Sequence, residues 1–270
     1  MDYNILKTMN KDSVREAIRA GFYRGHTAGL AAGVLQTNLA ILPESHALDF
    51  MRYCQRNPKP CPLSAVSDTG NPDMFTLGDD IDIRTDVPAF NIYRDGKLTE
   101  SIDNISDVWR DDLVAFALGC SFTFEHALLQ AGVPIWHIEN NTTVPMFRTN
   151  IDTIPAGPFH GKMVVSMRAI PPEQLDLVTR ISEQFPWAHG APVHAGNPAG
   201  IGISDIAQPE WGDPAPVDDG YVPVFWACGV TPQVAIEQAG VPLFITHKPG
   251  HMLITDVSES ATNATLSVSQ

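Results

Sequence analysis

A phrase of fifteen residues occurs twice in this chain, at residues 120–134 and 228–242, and each copy begins with a cysteine. The copies start 108 positions apart and agree at eight of the fifteen positions. A shorter echo follows each copy, at residues 146–150 and 252–256. When one unit of chain is used twice and the copies face each other, equivalent residues converge. The repeat therefore predicts a shared cleft, which is the first place to look for a binding site.

Both copies predict a helix with a defined beginning and end. An apolar run ends at Cys120 or Cys228, and Thr123 or Thr231 then fits the N-cap of a helix. Ala-Gly-Val-Pro closes each copy, because glycine adopts the left-handed geometry at a helix end and proline prevents continuation. A strand is predicted after each helix, at residues 135–138 and 243–246. The unit is therefore βαβ-like, with the cysteine at the helix N-terminus.

The rest of the chain alternates apolar runs with turn residues. Strands are predicted at 34–41, 161–170 and 221–227, helices at 11–21, 45–55 and 171–185, a helix from Asp107, a hairpin at Asp95-Gly96 and a frayed tail from Ser258. We expect an α/β fold of two pseudo-symmetric βαβ-like halves with a smaller β-rich α+β insertion domain. The predicted core domain comprises residues 1–62, 106–150 and 216–270, and the smaller domain comprises 63–105 and 151–215.

Composition excludes several classes of protein. The net charge of −14 disfavours binding to nucleic acid or to an anionic membrane, which both require a basic face. No apolar run is long enough to span a bilayer, and the N-terminus lacks the apolar segment of a secretory signal. We therefore expect a cytoplasmic protein with reduced cysteines. The expected partner is a small acidic substrate, and a homodimer is compatible with the sequence.

The repeated cysteines are candidate catalytic residues. A helix N-terminus carries partial positive charge, which lowers the pKa of a nearby thiol and attracts carboxylates. Two such ends could hold a dicarboxylate, although Cys120 and Cys228 also fit the alternative of small buried core residues. Further candidates follow the repeats: His247 and His251 for proton transfer, and Thr123, Thr231, Arg148, Asn150 and Asp256 for substrate binding.

No metal or organic cofactor is predicted. His247 and His251 are four residues apart, but Pro249-Gly250 prevents the helix that would align them. His189 and His194 are separated in the same irregular way, and the spacing of Cys54 and Cys61 matches no standard metal motif.

Seven phrases together resemble the bacterial hydro-lyase family that is related to the mitochondrial D-glutamate cyclase. They occupy residues 55–62, 109–116, 119–125, 144–150, 189–194, 225–233 and 245–252. The similarity runs from about Gly25 to Asp256. It implies a lyase of amino-acid metabolism that forms 5-oxo-D-proline and water from D-glutamate. Two other functions remain open, namely a non-catalytic binding protein for a small acidic metabolite and a thiol-dependent enzyme of another class.

Overall fold

The computed structural model describes residues 1–259, so most of the predicted frayed tail lies outside the described residues. Seven α-helices occur in this range: α1 (Tyr3–Leu6), α2 (Lys11–Arg19), α3 (Glu44–Arg56), α4 (Phe122–Gln130), α5 (Trp136–Glu139), α6 (Leu175–Glu183) and α7 (Val230–Ala239). None of these helices is long and apolar enough to cross a membrane. The strands of the same range are β1 (Val34–Pro43), β2 (Leu63–Val66), β3 (Phe90–Arg94), β4 (Lys97–Ile102), β5 (Leu113–Gly119), β6 (Met146–Asp152), β7 (Lys162–Ile170), β8 (His194–Ala195), β9 (Val222–Ala227), β10 (Leu243–His247) and β11 (Leu253–Ser258).

The strands form two antiparallel sheets, so the protein is a mixed α/β structure. The first sheet has seven strands in the order β2-β5-β1-β10-β3-β4, with β11 also paired to β1. The second has four strands in the order β6-β7-β9-β8. Buried apolar side chains cover both faces of β1 and β5 in the first sheet. That two-sided burial explains why these strands are continuous apolar runs without alternation.

Each repeat passes from one sheet to the other. The first repeat leaves the first sheet at the end of β5, forms α4 and continues to β6 in the second sheet. The second repeat leaves the second sheet at the end of β9, forms α7 and continues to β10 in the first sheet. A βαβ unit would place both of its strands parallel in one sheet. The expected βαβ geometry is therefore wrong, because the helices connect two antiparallel sheets.

The strands around the repeats pair in matching registers. Gly119 at the end of β5 lies opposite Thr37 of β1, and Ala227 at the end of β9 lies opposite Val165 of β7. The two copies of the short echo lie in β6 and β11, and they also pair with equivalent strands: β6 pairs with β7, and β11 pairs with β1. In these pairs Phe147 lies opposite Val165, as Leu253 lies opposite Thr37. Each repeat thus contributes its last strand to the sheet that contains the other repeat's first strand.

Several elements agree with the sequence, and two differ. Strands β1, β7, β9 and β10, helix α3 and the β3–β4 hairpin at Asp95-Gly96 occur where they were predicted. The helix expected from Asp107 is instead a 3-10 turn at Ser106–Val108 followed by β5. The strand expected after the first repeat is helix α5. Residues 113–119 and 135–138 are short, largely apolar runs, for which periodicity does not separate helix from strand.

The sheets divide the chain differently from the two predicted domains. Strands β2, β3 and β4, which lie in residues 63–105, complete the first sheet beside β5 and β10. Strands β7 and β8, which lie in residues 151–215, complete the second sheet beside β6 and β9. Each sheet therefore combines segments from both predicted domains.

Candidate active site

Each repeat places a cysteine in the turn between a strand and a helix. The backbone N–H of Cys120 donates to the carbonyl of Gln36 at 3.1 Å, and that of Cys228 donates to the carbonyl of Val164 at 3.0 Å. Both cysteines are free and buried, and both line the same cavity. The prediction that the repeats bring their cysteines to one cleft without a disulfide therefore agrees with the structure.

Thr123 and Thr231 hydrogen-bond to neighbouring strands and do not cap their helices. Thr123 and Thr231 are the second residues of α4 and α7. The hydroxyl of Thr123 accepts the backbone N–H of Gln36 at 3.2 Å, and that of Thr231 accepts the N–H of Val164 at 2.9 Å. Neither threonine lines the cavity. The predicted N-cap is wrong because each helix begins two residues earlier than the sequence suggested, with Ser121 and Gly229 at the N-cap positions.

The glycines that end the helices have the predicted geometry. Gly132 after α4 has φ +77°, and Gly240 after α7 has φ +64°. A residue with a side chain is strained in this left-handed region, so glycine allows the chain to turn away from the helix axis at the end of both α4 and α7.

The thiols are neutral. Burial is the largest influence on both: it raises the pKa of Cys120 well above its ordinary value and that of Cys228 to about 11. The backbone N–H groups of Phe122 and Val230, at the two helix N-termini, hydrogen-bond to the sulfurs and oppose this shift. The expectation that the helix N-termini would lower the pKa of each thiol is wrong, because desolvation of the thiolate outweighs the hydrogen bonds.

The cavity between the two helix N-termini has an empty volume of about 290 Å³, part of it open to solvent. Much of that volume is open solvent: the space that can hold the centre of a water molecule is about 10 Å³, close to one water, so a larger ligand requires the cavity walls to move apart. Its lining residues are Asn38, Cys120, Ser121, Phe122, Val144, Met146, His189, Cys228, Val230, His247, Pro249, Gly250 and Met252. Lysine and arginine are absent from this lining, so no cation contacts the cavity directly within the described part of the chain.

His247 contributes a hydrogen-bond donor to the cavity. Its Nδ1 lies 3.1 Å from the backbone N–H of Leu39, which donates to it, and 3.3 Å from the carbonyl of the same residue. The amide hydrogen has a position fixed by the backbone, so we assign the ring proton to Nε2. Burial lowers the pKa of His247 to about 4, which keeps the ring neutral near pH 7. Within residues 1–259, its Nε2 has no hydrogen-bond partner.

His189 contributes the complementary acceptor. Its Nδ1 lies 2.8 Å from the carbonyl of Lys59 and must donate to that oxygen, which leaves a lone pair on Nε2. That Nε2 is also buried without a partner among the described residues. Burial lowers the pKa of His189 to about 4. Its backbone has φ +78°, a left-handed conformation that is uncommon outside glycine and is enriched at functional sites. The sequence suggested no catalytic role for this residue.

His251 does not line the cavity, although its neighbours Gly250 and Met252 do. Its Nδ1 donates to the carbonyl of Pro249 at 3.0 Å. Burial lowers its pKa to about 4. The expectation that His251 would contact substrate therefore lacks geometric support.

The predicted substrate-binding residues of β6 and β11 lie elsewhere. Arg148 is exposed, and its guanidinium stacks 4.7 Å from the ring of Trp211. Asn150 is exposed on the same strand. Asp256 pairs with Lys11 at 2.6 Å and with Arg15 at 3.0 Å. None of Arg148, Asn150 and Asp256 lines the cavity.

A buried charged cluster lies behind the cavity wall, and the sequence did not predict it. The guanidinium of Arg168 donates through Nε to Glu125 Oε1 at 2.9 Å, and His137 Nε2 lies 3.1 Å from the same oxygen. All three side chains are at most 3% exposed. Burial alone would raise the pKa of Glu125, but His137 and Arg168 outweigh it and hold that pKa below its usual value. The carboxylate therefore remains ionised beside the guanidinium.

Arg168 connects this cluster to the cavity. Its Nη2 donates to the hydroxyl of Ser121 at 2.9 Å, and its Nη1 donates to Ser166 at 2.9 Å. Ser121 lines the cavity, so the guanidinium is one side chain removed from a ligand. A charged residue within the apolar strand β7 was the available clue, because a buried charge requires partners.

No three His, Cys, Asp or Glu side chains of residues 1–259 are grouped so that they could hold a metal ion.

Comparison with known proteins identifies the family. The model of the D-glutamate cyclase family matches residues 114–256. A protein named "Putative hydro-lyase" from Dinoroseobacter shibae is 69% identical over 96% of this chain and 86% of its own length. A protein of the same name from Ruegeria pomeroyi is 67% identical over 96% of this chain and 94% of its own length.

A solved structure, a nitrogen repressor-like protein from Methanococcus jannaschii, covers 90% of this chain and 97% of its own chain. Its TM-score is 0.39 at 11% identity, which is too low to support any inference. The sequence relatives and the family model decide the assignment, and the chain belongs to the D-glutamate cyclase family of hydro-lyases.

Proposed function

We propose that this protein converts D-glutamate into 5-oxo-D-proline and water in the cavity between the two repeat helices. The observation that carries the proposal is the pair of buried histidines that line this cavity with unpartnered Nε2 atoms, to which the backbone contacts of Nδ1 assign opposite tautomers. His189 offers a lone pair on Nε2, and His247 offers a hydrogen on Nε2. The family assignment motivates the substrate.

The cyclisation moves two protons from nitrogen to oxygen. The α-amino nitrogen attacks the γ-carboxyl carbon, a C–N bond forms, and a C–O bond breaks. The ammonium group loses two protons in becoming the lactam N–H, and the leaving oxygen gains two and departs as water. A group that accepts a proton on one side and releases it on the other therefore serves both halves of the reaction.

His189 fits the role of this proton relay. Its Nε2 can take a proton from nitrogen and pass it to the leaving oxygen, twice in each turnover, and it ends neutral. Its low pKa in the free protein makes it a weak base. A bound carboxylate raises the proton affinity of a nearby imidazole, so the substrate itself improves the base.

His247 fits the role of an oxyanion donor. Its neutral ring donates from Nε2 while its Nδ1 accepts the Leu39 N–H, so the ring has no spare proton to release near neutral pH. A neutral imidazole in this state stabilises negative charge on the γ-carboxyl oxygen through a hydrogen bond. The donor acts within a small, largely buried cavity, where such bonds are strengthened by the low dielectric.

The two repeats provide the frame of this proposed site. We infer a local twofold relation between them from the matched registers and the matched bonds of Cys120 and Cys228. Under this relation the cavity lies where the two helix N-termini meet. The neutral thiols shape the cavity, and the raised pKa of both argues against a thiolate nucleophile.

Mass spectrometry of the reaction tests the proposal. Purified protein is incubated with D-glutamate, L-glutamate or D-aspartate, and loss of one water is followed. We expect D-glutamate alone to yield its cyclic product, and His189→Ala to abolish most of that activity. His160→Ala is the control, because His160 is exposed. If neither these amino acids nor 5-oxo-D-proline changed, the proposal would fail, and binding of the unreacted amino acid would favour a metabolite-binding protein.

A thiol-dependent enzyme is the second function to exclude. Cys120→Ala and Cys228→Ala should each keep activity within about fivefold, because a neutral buried thiol contributes packing more than chemistry. Loss of all turnover in one of them, with an unchanged thermal unfolding temperature, would favour the thiol-dependent mechanism.

A further inference from the structure

Positions that match between the two repeats differ in charge. The correspondence rests on the shared backbone bonds of Cys120 with Gln36 and of Cys228 with Val164. Beside the N-terminus of α4 stand Ser121, Glu125, Ser166 and Arg168. The matching positions beside the N-terminus of α7 hold Gly229, Gln233, Asn38 and Ala40. A buried ion pair thus stands behind the α4 end of the cavity, and the matching positions at the α7 end are uncharged.

The α4 end presents a polarised donor. Ser121 Oγ accepts a hydrogen bond from Arg168, so its own hydrogen is available to a ligand in the cavity. A hydroxyl that accepts from a cation becomes a stronger donor, because hydrogen bonds in a chain polarise one another. The positive charge of Arg168 also reaches Cys228 and His189, which line the cavity, whereas at Cys120 the negative charge of Glu125 outweighs it. The polarised hydroxyl of Ser121 therefore gives this end its donor for a carboxylate.

The α7 end has no charged group in the matching positions. A Cβ on Gly229 would lie 2.1 Å from the amide nitrogen of Asn38, so Asn38 occupies the space that a serine would need. The Asn38 amide donates to the carbonyls of Leu118 and Gly119 at 3.2 and 2.9 Å. His247 is adjacent, because it bonds Leu39, the next residue of β1. This end offers neutral groups to a ligand.

We propose that the cavity holds a five-carbon dicarboxylate in one direction, with its permanent carboxylate at Ser121 and Arg168 and its reacting carboxyl group at His247. The proposal rests on the proposed function for the identity of the reacting end. Only one end of the ligand then needs a full negative charge. A carboxyl group held by one neutral donor, His247, is also easier to attack, because its charge is less stabilised there.

Equilibrium binding tests this orientation without turnover. Isothermal titration calorimetry compares glutarate, its monoamide glutaramate and its diamide glutaramide, none of which carries an amine that could cyclise. We expect glutarate and glutaramate to bind within about threefold of each other and glutaramide at least about tenfold more weakly, since hydrogen bonds with charged partners are the stronger ones. Ser121→Ala should weaken glutarate and glutaramate by about tenfold or more.

Ser64→Ala is the matched control, because Ser64 is a similarly buried serine, 6% exposed, outside the cavity lining. The proposal is overturned if glutaramate binds no more tightly than glutaramide, or if Ser121→Ala binds glutarate as the control does. The outcome is separable from the enzymatic proposal. The expected binding pattern without turnover of D-glutamate would uphold the orientation and contradict the proposed reaction. Turnover of D-glutamate without the expected binding pattern would uphold the reaction and contradict the orientation.

Discussion

The two repeats share their turns but differ in the segments that come after the helices. After α4 the chain forms the short helix α5, which carries His137 to the buried carboxylate of Glu125. After α7 the chain forms strand β10, which carries His247 to the cavity. The matched turns position two helix N-termini, and the unmatched segments bring different histidines to the two sides. Repetition therefore accounts for the geometry of the cavity, and the departures from repetition account for its chemistry.

Removing the two cavity histidines should have the largest effect. His189→Ala is expected to lower kcat by about 10²–10⁴-fold, the range for a general acid or base. His247→Ala is expected to lower kcat by about 10²–10³-fold, the range for one oxyanion donor. Steady-state kinetics on D-glutamate measures both, with His160→Ala as the exposed control. A fall in kcat of less than about fivefold in either variant would remove that residue from the mechanism.

The same histidines should make stability depend on pH. The pKa of His189 and of His247 is about 4 in the folded protein, below the ordinary value of 6.5. The unfolded chain therefore binds more protons between these values, so stability is complete above pH 6.5 and declines as the pH falls towards 4. Each full shift corresponds to about 3 kcal/mol.

Urea unfolding at pH 7 and pH 5 measures this dependence. His189→Asn and His247→Asn should each reduce the difference in unfolding free energy between the two pH values. His160→Asn should leave that difference unchanged. Equal stability of the wild type at both pH values would contradict the neutral, buried state of these rings.

Gly119 and Ala227 are the matched positions just before the two cysteines, and changing the size of their side chains should affect stability by different amounts. A Cβ on Gly119 would lie 1.5 Å from the carbonyl oxygen of Trp187, whereas Ala227 carries a Cβ at the equivalent position. Gly119→Ala should cost about 3 kcal/mol of unfolding free energy, because the clash is with backbone. Ala227→Gly should cost about 1 kcal/mol. Urea unfolding compares them, and a smaller loss in Gly119→Ala than in Ala227→Gly would refute the matched close approach.

The smallest effect is expected at Arg148. The sequence placed this residue at a substrate carboxylate, which would make Arg148→Ala raise KM strongly. Its exposed guanidinium lies over Trp211, outside the cavity, so we expect KM for D-glutamate to stay within about twofold. Ser121→Ala provides the contrast, because it should raise KM. A strong increase in KM for Arg148→Ala alone would move the carboxylate site to β6.

The sequence predicted the frame of the site better than its chemistry. Cys120 and Cys228 could be placed together, because a repeated phrase that ends in glycine and proline predicts the same turn and helix in both copies. Arg148 lies outside the cavity because strand alternation sends neighbouring side chains to opposite faces, and the sequence did not reveal which face points inward. Glu125 and Arg168 are 43 positions apart and meet only through packing of α4 on the second sheet.

The two histidines illustrate the same limit. His247 was a candidate because it comes after a repeat, whereas His189 lies in an irregular segment with no repeat partner. Its role depends on a backbone hydrogen bond to Lys59, which is 130 positions away. No local spacing could predict that contact or the tautomer that it fixes.

A crystal structure with glutarate bound tests the central claim most directly. We predict glutarate in the cavity between α4 and α7, with one carboxylate within hydrogen-bond distance of Ser121 Oγ and the other near His247 Nε2. His189 Nε2 should face the carbon that carries the amine in glutamate. Glutarate bound at Arg148, or at any site that leaves the cavity of Cys120 and Cys228 unfilled, would contradict the claim.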